Sequence, residues 1–266
     1  MLTQEQIVHF ETFGFLILRQ AFKTREMEQI GSAANELWAA ALQRDPAATD
    51  LGVAPFIELS PALAWLAADD RLYAPMEQLL GKGFIWSGSE GNNAIAPGPA
   101  HDWHADRPGP KELDYRRIKI MLYLSAMKKE EGALRVIPGS QREPLHSALY
   151  PFQAVHGQPN PRFFDQCGAE VPCCALETRP GDAAVFSQSL FHGVYGKMPK
   201  RCYIALKYAA RPAADAQLAS LYKYSPYAFE PHASFVNSGS ARIRGMVDGL
   251  LQLGEKAADL VPQYYP

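Results

Sequence analysis

Two short stretches of this chain hold residue types that could do chemistry together. The first is Trp103-His104-Ala105-Asp106. On an extended strand, residues two apart face the same side, so His104 and Asp106 can offer an imidazole and a carboxylate to one point. The second stretch is Phe186-Ser187-Gln188-Ser189-Leu190-Phe191-His192-Gly193, which follows the turn Pro180-Gly181-Asp182. A histidine at the end of an apolar strand can supply a third ligand once a sheet closes. Two histidines and one carboxylate on one face leave open positions on a metal, the donor set of mononuclear non-haem Fe(II) oxygenases. The letters alone leave rivals open. His104 read by itself is equally a strand-end histidine bonded to Asp106, and His192 a core or turn histidine. His9, His146, His156 and His232 fall in helix or loop contexts and read as surface or structural residues.

Arg201 follows His192 across a turn at Gly196–Pro199 and opens a further apolar run, Cys202 to Tyr208. A guanidinium presents its N–H donors as a rigid fork that pairs bidentately with a carboxylate. A ferrous site with such an anchor suits 2-oxoglutarate, whose C1 carboxylate and C2 keto oxygen chelate iron while the C5 carboxylate reaches the arginine. Read alone, Arg201 is first an exposed basic residue after a turn, in a cluster with Lys197 and Lys200.

These residues need elements to position them. Thr3-Gln4-Glu5-Gln6 is a capping box that starts a helix, and Gly14 stops it. Phe15–Leu18 is a short apolar strand, and Thr24 caps a second helix with Met27, Ile30, Ala34, Leu37, Trp38 and Leu42 on one face. Leu63, Leu66, Met76 and Leu79-Leu80 predict one or two more helices, ended by Gly81 and Gly83. The texture then changes to β-rich runs at Phe84–Trp86, Ile118–Leu124, Leu134–Ile137, Ala183–Phe186 and Tyr203–Tyr208, separated by Pro-Gly and Gly-Ser turns. Short strands at this spacing predict an antiparallel sandwich or barrel. The expected organisation is one domain. It comprises a helical flank over residues 1–80, a β core over 81–210 with a Pro-, Gly- and Gln-rich insertion at 140–180, and a helical tail over 211–266.

Composition bounds the function. The chain has 266 residues, 47% hydrophobic and 20% charged, ordinary for a globular domain. A net charge of −2 gives no basic excess for nucleic acid or an anionic membrane. No apolar run approaches the ~18 residues that span a bilayer. The opening MLTQEQIVHFE lacks the basic start of a signal peptide. Cys167, Cys173, Cys174 and Cys202 show no C-x-x-C spacing and read as reduced thiols of a cytoplasmic protein.

The sequence resembles the phytanoyl-CoA dioxygenase family of Fe(II)/2-oxoglutarate-dependent oxygenases. The matching stretches, in family order, are LTQEQIVHFETFGFLILRQAF, PGPAHDWHAD, LYLSAMKKEEGALRVIPGSQ and PGDAAVFSQSLFHGVYGKMPKR, spanning residues 2–208. The resemblance implies a double-stranded β-helix, or jelly roll, mainly β with flanking helices. It implies iron held by His104, Asp106 and His192, and 2-oxoglutarate paired with Arg201. It also implies a polar contact to the cosubstrate from Asn92 and a wall residue at Leu124. Where relatives often carry Ser or Thr two residues after the distal histidine, this chain has Val194, which makes Arg201 the main anchor. Where many carry Gln three residues before the first ligand, it has His101, which puts substrate contacts there in question. The implied reaction consumes dioxygen and 2-oxoglutarate, releases succinate and CO2, and hydroxylates or otherwise oxidises a C–H bond of a small molecule.

Rivals are a halogenase, which needs Asp106 replaced by a small residue, a silent jelly-roll binding protein, which predicts a broken triad, and a zinc hydrolase, which lacks H-E-x-x-H. An acyl-CoA hydroxylase remains the alternative within the family. Arg107, Lys111, Arg116, Arg117 and Lys119 could meet an anionic group, but interleaved with Glu112 and Asp114 they read first as a solvated charged loop. Trp86, Trp103 and the tyrosines at 222–227 could line a substrate pocket, with core packing an equal reading. A monomer or homodimer acting on a small molecule is expected.

Overall fold

The computed structural model describes residues 1–158 and 161–266; positions 159 and 160, within the predicted insertion, lie outside the described residues. The amino-terminal part runs α1 (Gln4–Phe13), β1 (Phe15–Leu18), α2 (Thr24–Arg44), β2 (Asp50–Val53), α3 (Pro61–Ala64) and α4 (Asp70–Leu80). The Thr3–Gln6 capping box forms as expected, and Gly14 ends α1 at φ +83. The cap of α2 is Lys23, one residue before the predicted Thr24. The core strands are β3 (Ile85–Ala94), β4 (His101–His104), β5 (Arg117–Tyr123) and β6 (Leu134–Val136). Then come α5 (Leu145–Leu149), α6 (Pro151–Val155), the hairpin β7 (Arg162–Phe163) and β8 (Gln166–Cys167), and β9 (Cys174–Leu176). The chain continues through β10 (Ala183–Ser187), β11 (His192–Val194) and β12 (Cys202–Ala209). It ends with α7 (Asp215–Tyr224), α8 (Ala233–Val236), α9 (Ala241–Val247) and α10 (Gly254–Tyr264).

Two antiparallel sheets make the jelly roll. The larger has six strands in the order β1-β10-β5-β12-β3-β2, and the smaller has four, β4-β11-β6-β9. The flank at 1–80 is therefore not purely helical, since it supplies both edge strands of the larger sheet. The insertion is shorter than predicted, because β9 pairs with β6 in the smaller sheet.

Strand alternation sorts the side chains into layers. On β5, Ile118, Ile120 and Leu122 face outward and pack with α1–α4, whereas Met121 and Tyr123 join Leu134, Phe186 and Val194 between the sheets. On β10, Ala183 and Val185 take the helix side and Ala184 and Phe186 the inner side. The outer face of the smaller sheet buries Trp103 beneath Phe152, Phe163 and Tyr195. The carboxy-terminal helices α7 and α10 close a further cluster around Ile85, Tyr115 and Ala209. No helix among the described residues is long and apolar enough to cross a membrane.

Candidate metal centre

His104 ends β4 and His192 begins β11, and the two are paired neighbours across the antiparallel ladder. Register places both imidazoles together, with ring centroids 4.3 Å apart. His192 opens a new strand; the apolar strand before it ends at Ser187, and a tight turn intervenes. Asp106 lies just past the end of β4. Its Oδ1 is 4.0 Å from His104 Nε2 and 3.9 Å from His192 Nε2. One ligand atom from each of the three falls within 4.8 Å of the others.

The backbone presets both rings. His104 Nδ1 meets the Asp102 carbonyl at 2.6 Å and His192 Nδ1 meets the Leu190 carbonyl at 2.9 Å. A carbonyl only accepts, so each Nδ1 carries the proton and each Nε2 lone pair turns toward Asp106. Burial, with His192 alongside, pushes the pKa of His104 down to about 3, and burial lowers that of His192. Both rings are therefore neutral donors near pH 7. Burial opposes the charge on Asp106, but Lys119 foremost, then the histidines, holds its carboxyl well below the usual range. Two neutral imidazoles and a carboxylate with converging lone pairs fit one divalent ion.

Arg201 sits one residue before β12 and is 5% exposed. Its Nε donates to the Gly132 carbonyl at 2.8 Å and its Nη2 to the Tyr123 hydroxyl at 3.0 Å. It lies over the Tyr203 and Tyr123 rings. Gly132 has φ +90, and a Cβ there would come within 3.0 Å of Arg201 Cδ, so the glycine admits the arginine against the chain. Among the described residues Arg201 has no acidic partner, although burial makes an uncompensated cation costly.

Triad and arginine line one cavity of about 350 Å³, together with Glu90, Asn92, His101, Lys119, Met121, Leu134, His156, Phe186, Val194, Lys197, Tyr203 and Lys207. Of the predicted contacts, Asn92 and His101 reach it. Asn92 Nδ2 donates to Asp50 at 2.7 Å, and its Oδ1 is buried without a donor. Leu124 does not reach it: alternation along β5 turns it to the helix side, and Met121 takes the inner wall, with Tyr123 fully buried on the same inner face. Trp103 alternates away from His104, and its Nε1 donates to the Gly168 carbonyl at 2.8 Å in the outer cluster. Trp86 is displaced by a bulge. The β12–β3 register shifts between Leu206 and Tyr208, and Gly88 adopts φ +104, so Trp86 does not share the face of Glu90 and Asn92. Trp86 instead packs on the helix side and donates to Glu58 at 2.8 Å.

Sequence reasoning missed several residues. His156, read as structural, stacks near His104 with centroids 4.4 Å apart. The charged stretch after the triad is mostly not a solvated loop. Arg107 is buried and bonds Ser225 at 2.9 Å, Arg117 is buried on Glu112 and Ser220, and Lys119 enters the cavity. Of that group Lys111, Asp114 and Arg116 are exposed. The available signal was period two within RIKIMLY, which places Lys119 beside Met121 and Tyr123.

A family model described as Phytanoyl-CoA dioxygenase (PhyH) matches residues 10–196. No curated protein matches the sequence. Among solved structures, HygX from Streptomyces hygroscopicus with nickel and 2-oxoglutarate bound is 22% identical with a TM-score of 0.64, over 78% of this chain and 87% of that one. EctD from S. alaskensis with bound Fe is 26% identical with a TM-score of 0.59, over 79% of this chain and 77% of its own. AviO1 from Streptomyces viridochromogenes Tue57 shares 16% identity with a TM-score of 0.59, over 80% of this chain and 98% of that one. HygX has also been captured with hygromycin B, and EctD with 2-oxoglutarate and 5-hydroxyectoine.

Proposed function

Because this chain belongs to the phytanoyl-CoA dioxygenase family, we propose that it is an Fe(II)- and 2-oxoglutarate-dependent oxygenase that hydroxylates a C–H bond of a compact polar molecule. The observation that carries this is Arg201, a buried guanidinium without an acidic partner, in the same cavity as two histidines and an aspartate whose lone pairs converge. His104 Nε2, His192 Nε2 and Asp106 Oδ1 would hold the iron. When bound, that ion couples decarboxylation of 2-oxoglutarate to oxidation of a C–H bond by dioxygen, with release of succinate and CO2.

The chain's own residues do the positioning. Arg201 has N–H donors left after Gly132 and Tyr123 are served, enough to grip the C5 carboxylate. The Tyr123 hydroxyl, fully buried behind the cavity wall, accepts from Arg201 and fixes the direction of the guanidinium. Asn92 Oδ1 remains open to a donor. Met121, Leu134, Phe186 and Val194 form the apolar side of the cavity and keep water from the coordinating atoms.

The lining also supports the substrate class. A cavity of about 350 Å³ shared with 2-oxoglutarate leaves room for a molecule of modest size. Glu90, Lys119, Lys197 and Lys207 face it, and a long alkyl chain would strip water from these charges without replacing it. This favours a small polar substrate over an acyl-CoA thioester. The structures of HygX and EctD with small molecules are consistent with that preference. The intact triad disfavours a silent binding protein, and Asp106 disfavours halogenation. The free cysteines are in keeping with a reducing, cytoplasmic setting.

The test is anaerobic addition of Fe(II) and then 2-oxoglutarate. A weak visible charge-transfer band is expected only when both are present; its absence at saturating iron would overturn the reading. A panel of small molecules read by succinate release then identifies the substrate.

A further inference from the structure

Lys119 stands where a strand should not carry a charge. It lies in the middle of β5, flanked by Ile118 and Ile120, and its cross-strand neighbour on β12 is Lys207. Like charges directly opposite each other on adjacent strands are destabilising. The pair persists because carboxylates reach both amines. Lys207 Nζ is 2.6 Å from Glu90 Oε2, while Lys119 Nζ is 3.5 Å from Glu90 Oε1 and 3.0 Å from Asp106 Oδ2. Glu90 alone would serve Lys207; the closest acceptor of Lys119 is the candidate iron ligand.

The two oxygens of Asp106 are thereby divided. Oδ1 faces the Nε2 atoms of both histidines, at 4.0 and 3.9 Å, and Oδ2 faces Lys119. Oδ2 is buried and takes no hydrogen bond of good geometry among the described residues, so the ion pair with Lys119 at 3.0 Å is the contact that holds it. A carboxylate beyond the end of its strand can otherwise rotate, chelate through both oxygens or turn away from the ion.

Resting on the oxygenase reading above, we propose that Lys119 is a positioning residue that holds Asp106 by Oδ2, so that Oδ1 alone is presented to the metal. This keeps one more coordination position open for 2-oxoglutarate and dioxygen than a chelating carboxylate would. The like-charge clash with Lys207 is the stability cost of that placement. The rival account is that Lys119 merely neutralises the carboxylate until a cation arrives. The two accounts predict opposite signs. A neutraliser repels the incoming ion, so its removal tightens metal binding; a positioner orients the ligand, so its removal weakens it.

The experiment measures Mn(II) affinity by calorimetric titration in wild type, Lys119→Met and Lys119→Gln, without substrate or turnover. Met and Gln are neutral and matched in length, and only Gln offers a donor to Oδ2. Each variant relieves the clash with Lys207 but strips Asp106 of its counter-charge, so thermal melting is measured to check that both remain folded. The expected result is about tenfold or greater weakening in Lys119→Met, with Lys119→Gln in between, in keeping with other groups that orient metal ligands. Unchanged or tighter binding in Lys119→Met overturns the proposal, as does equal weakening in both variants. If wild type itself binds no Mn(II) or Fe(II), the oxygenase reading fails instead, and the two failures are distinct.

Discussion

Replacing Arg201 by Ala tests the cosubstrate assignment most directly. The structure sets the size of the effect. The guanidinium is 5% exposed, fixed by Gly132 at 2.8 Å and Tyr123 at 3.0 Å, and has no acidic partner among the described residues. A C5 carboxylate bound there would form a charge-assisted pair shielded from water. Losing one partner of such a pair costs about 2–5 kcal/mol, because the surviving charge is left uncompensated. The lower figure alone corresponds to about thirty-fold weaker binding. Lys197 is another cation lining the cavity, but Asp50 already engages it. Arg201→Lys keeps the charge and loses the fork, so it should fall between wild type and Arg201→Ala. The assay is anaerobic titration of the Fe(II) enzyme with 2-oxoglutarate, followed by the KM for 2-oxoglutarate in succinate-forming turnover. Iron affinity should change little, since Arg201 is not a ligand. An Arg201→Ala protein that melts normally and binds 2-oxoglutarate as wild type does would remove Arg201 from the site. Attention would then move to Lys197, Lys119 and Lys207, which share the cavity, and away from Lys200, which is exposed.

Three further outcomes are expected. His104→Ala, Asp106→Ala and His192→Ala should each lower Fe(II) affinity by more than about 100-fold, beyond the loss seen when groups supporting a ligand are removed, and abolish succinate formation; the melting temperature is kept in the histidine variants and falls in Asp106→Ala, where Lys119 loses its closest acceptor. Tyr123→Phe should raise the KM for 2-oxoglutarate by about 3–10-fold, about one hydrogen bond's worth, whereas Leu124→Ala should leave that KM alone and lower stability by about 1–2 kcal/mol in chemical denaturation. Asp182 accepts from Gln20 N at 2.8 Å, Arg179 N at 3.1 Å and Arg19 at 2.8 Å; against the opposing effect of burial, these donors hold its pKa below the usual value. Its contribution is therefore full above the unfolded pKa of about 3.9 and fades as pH falls through the lower folded value, so Asp182→Asn should melt well below wild type at pH 7 and approach it near pH 3.

The sequence carried the triad and Arg201 because their signals are local: an H-x-D on a strand, a histidine after an apolar run, an arginine after a turn. It carried the opening helix because a capping box and a left-handed glycine are local too. What it hid depends on register. Trp86 shares parity with Glu90 and Asn92 in the letters, but the bulge at Gly88 cancels it; a glycine inside a strand marks where a bulge can form, and with Gly91 in the same strand only the register shows where it does. Leu124 and Lys119 are the reverse case. Alternation along β5 assigns one to the helix side and the other to the cavity, so both were within reach of period-two reading. Lys119 was passed over because a run of mixed charges ordinarily signals solvent. His156 arrives from an insertion whose course across the cavity no local pattern encodes.

The strand order has a consequence for how the chain comes into being. β12 lies between β5 and β3, which never touch as neighbours, and it is the final strand to be synthesised. A ribosome adding about 5–20 residues per second needs about 4–16 s to pass from Tyr123 to Cys202. Throughout that interval β3 and β5 present bare edges to solvent, and direct pairing of the two would shut out the missing strand. Arg201 stands at the head of that strand, so a nascent chain that closes early is both misregistered and without the arginine proposed to anchor the cosubstrate. Slower synthesis would lengthen the exposure, while chaperones that shield unpaired edges should raise the yield of active enzyme without altering the stability of the finished fold.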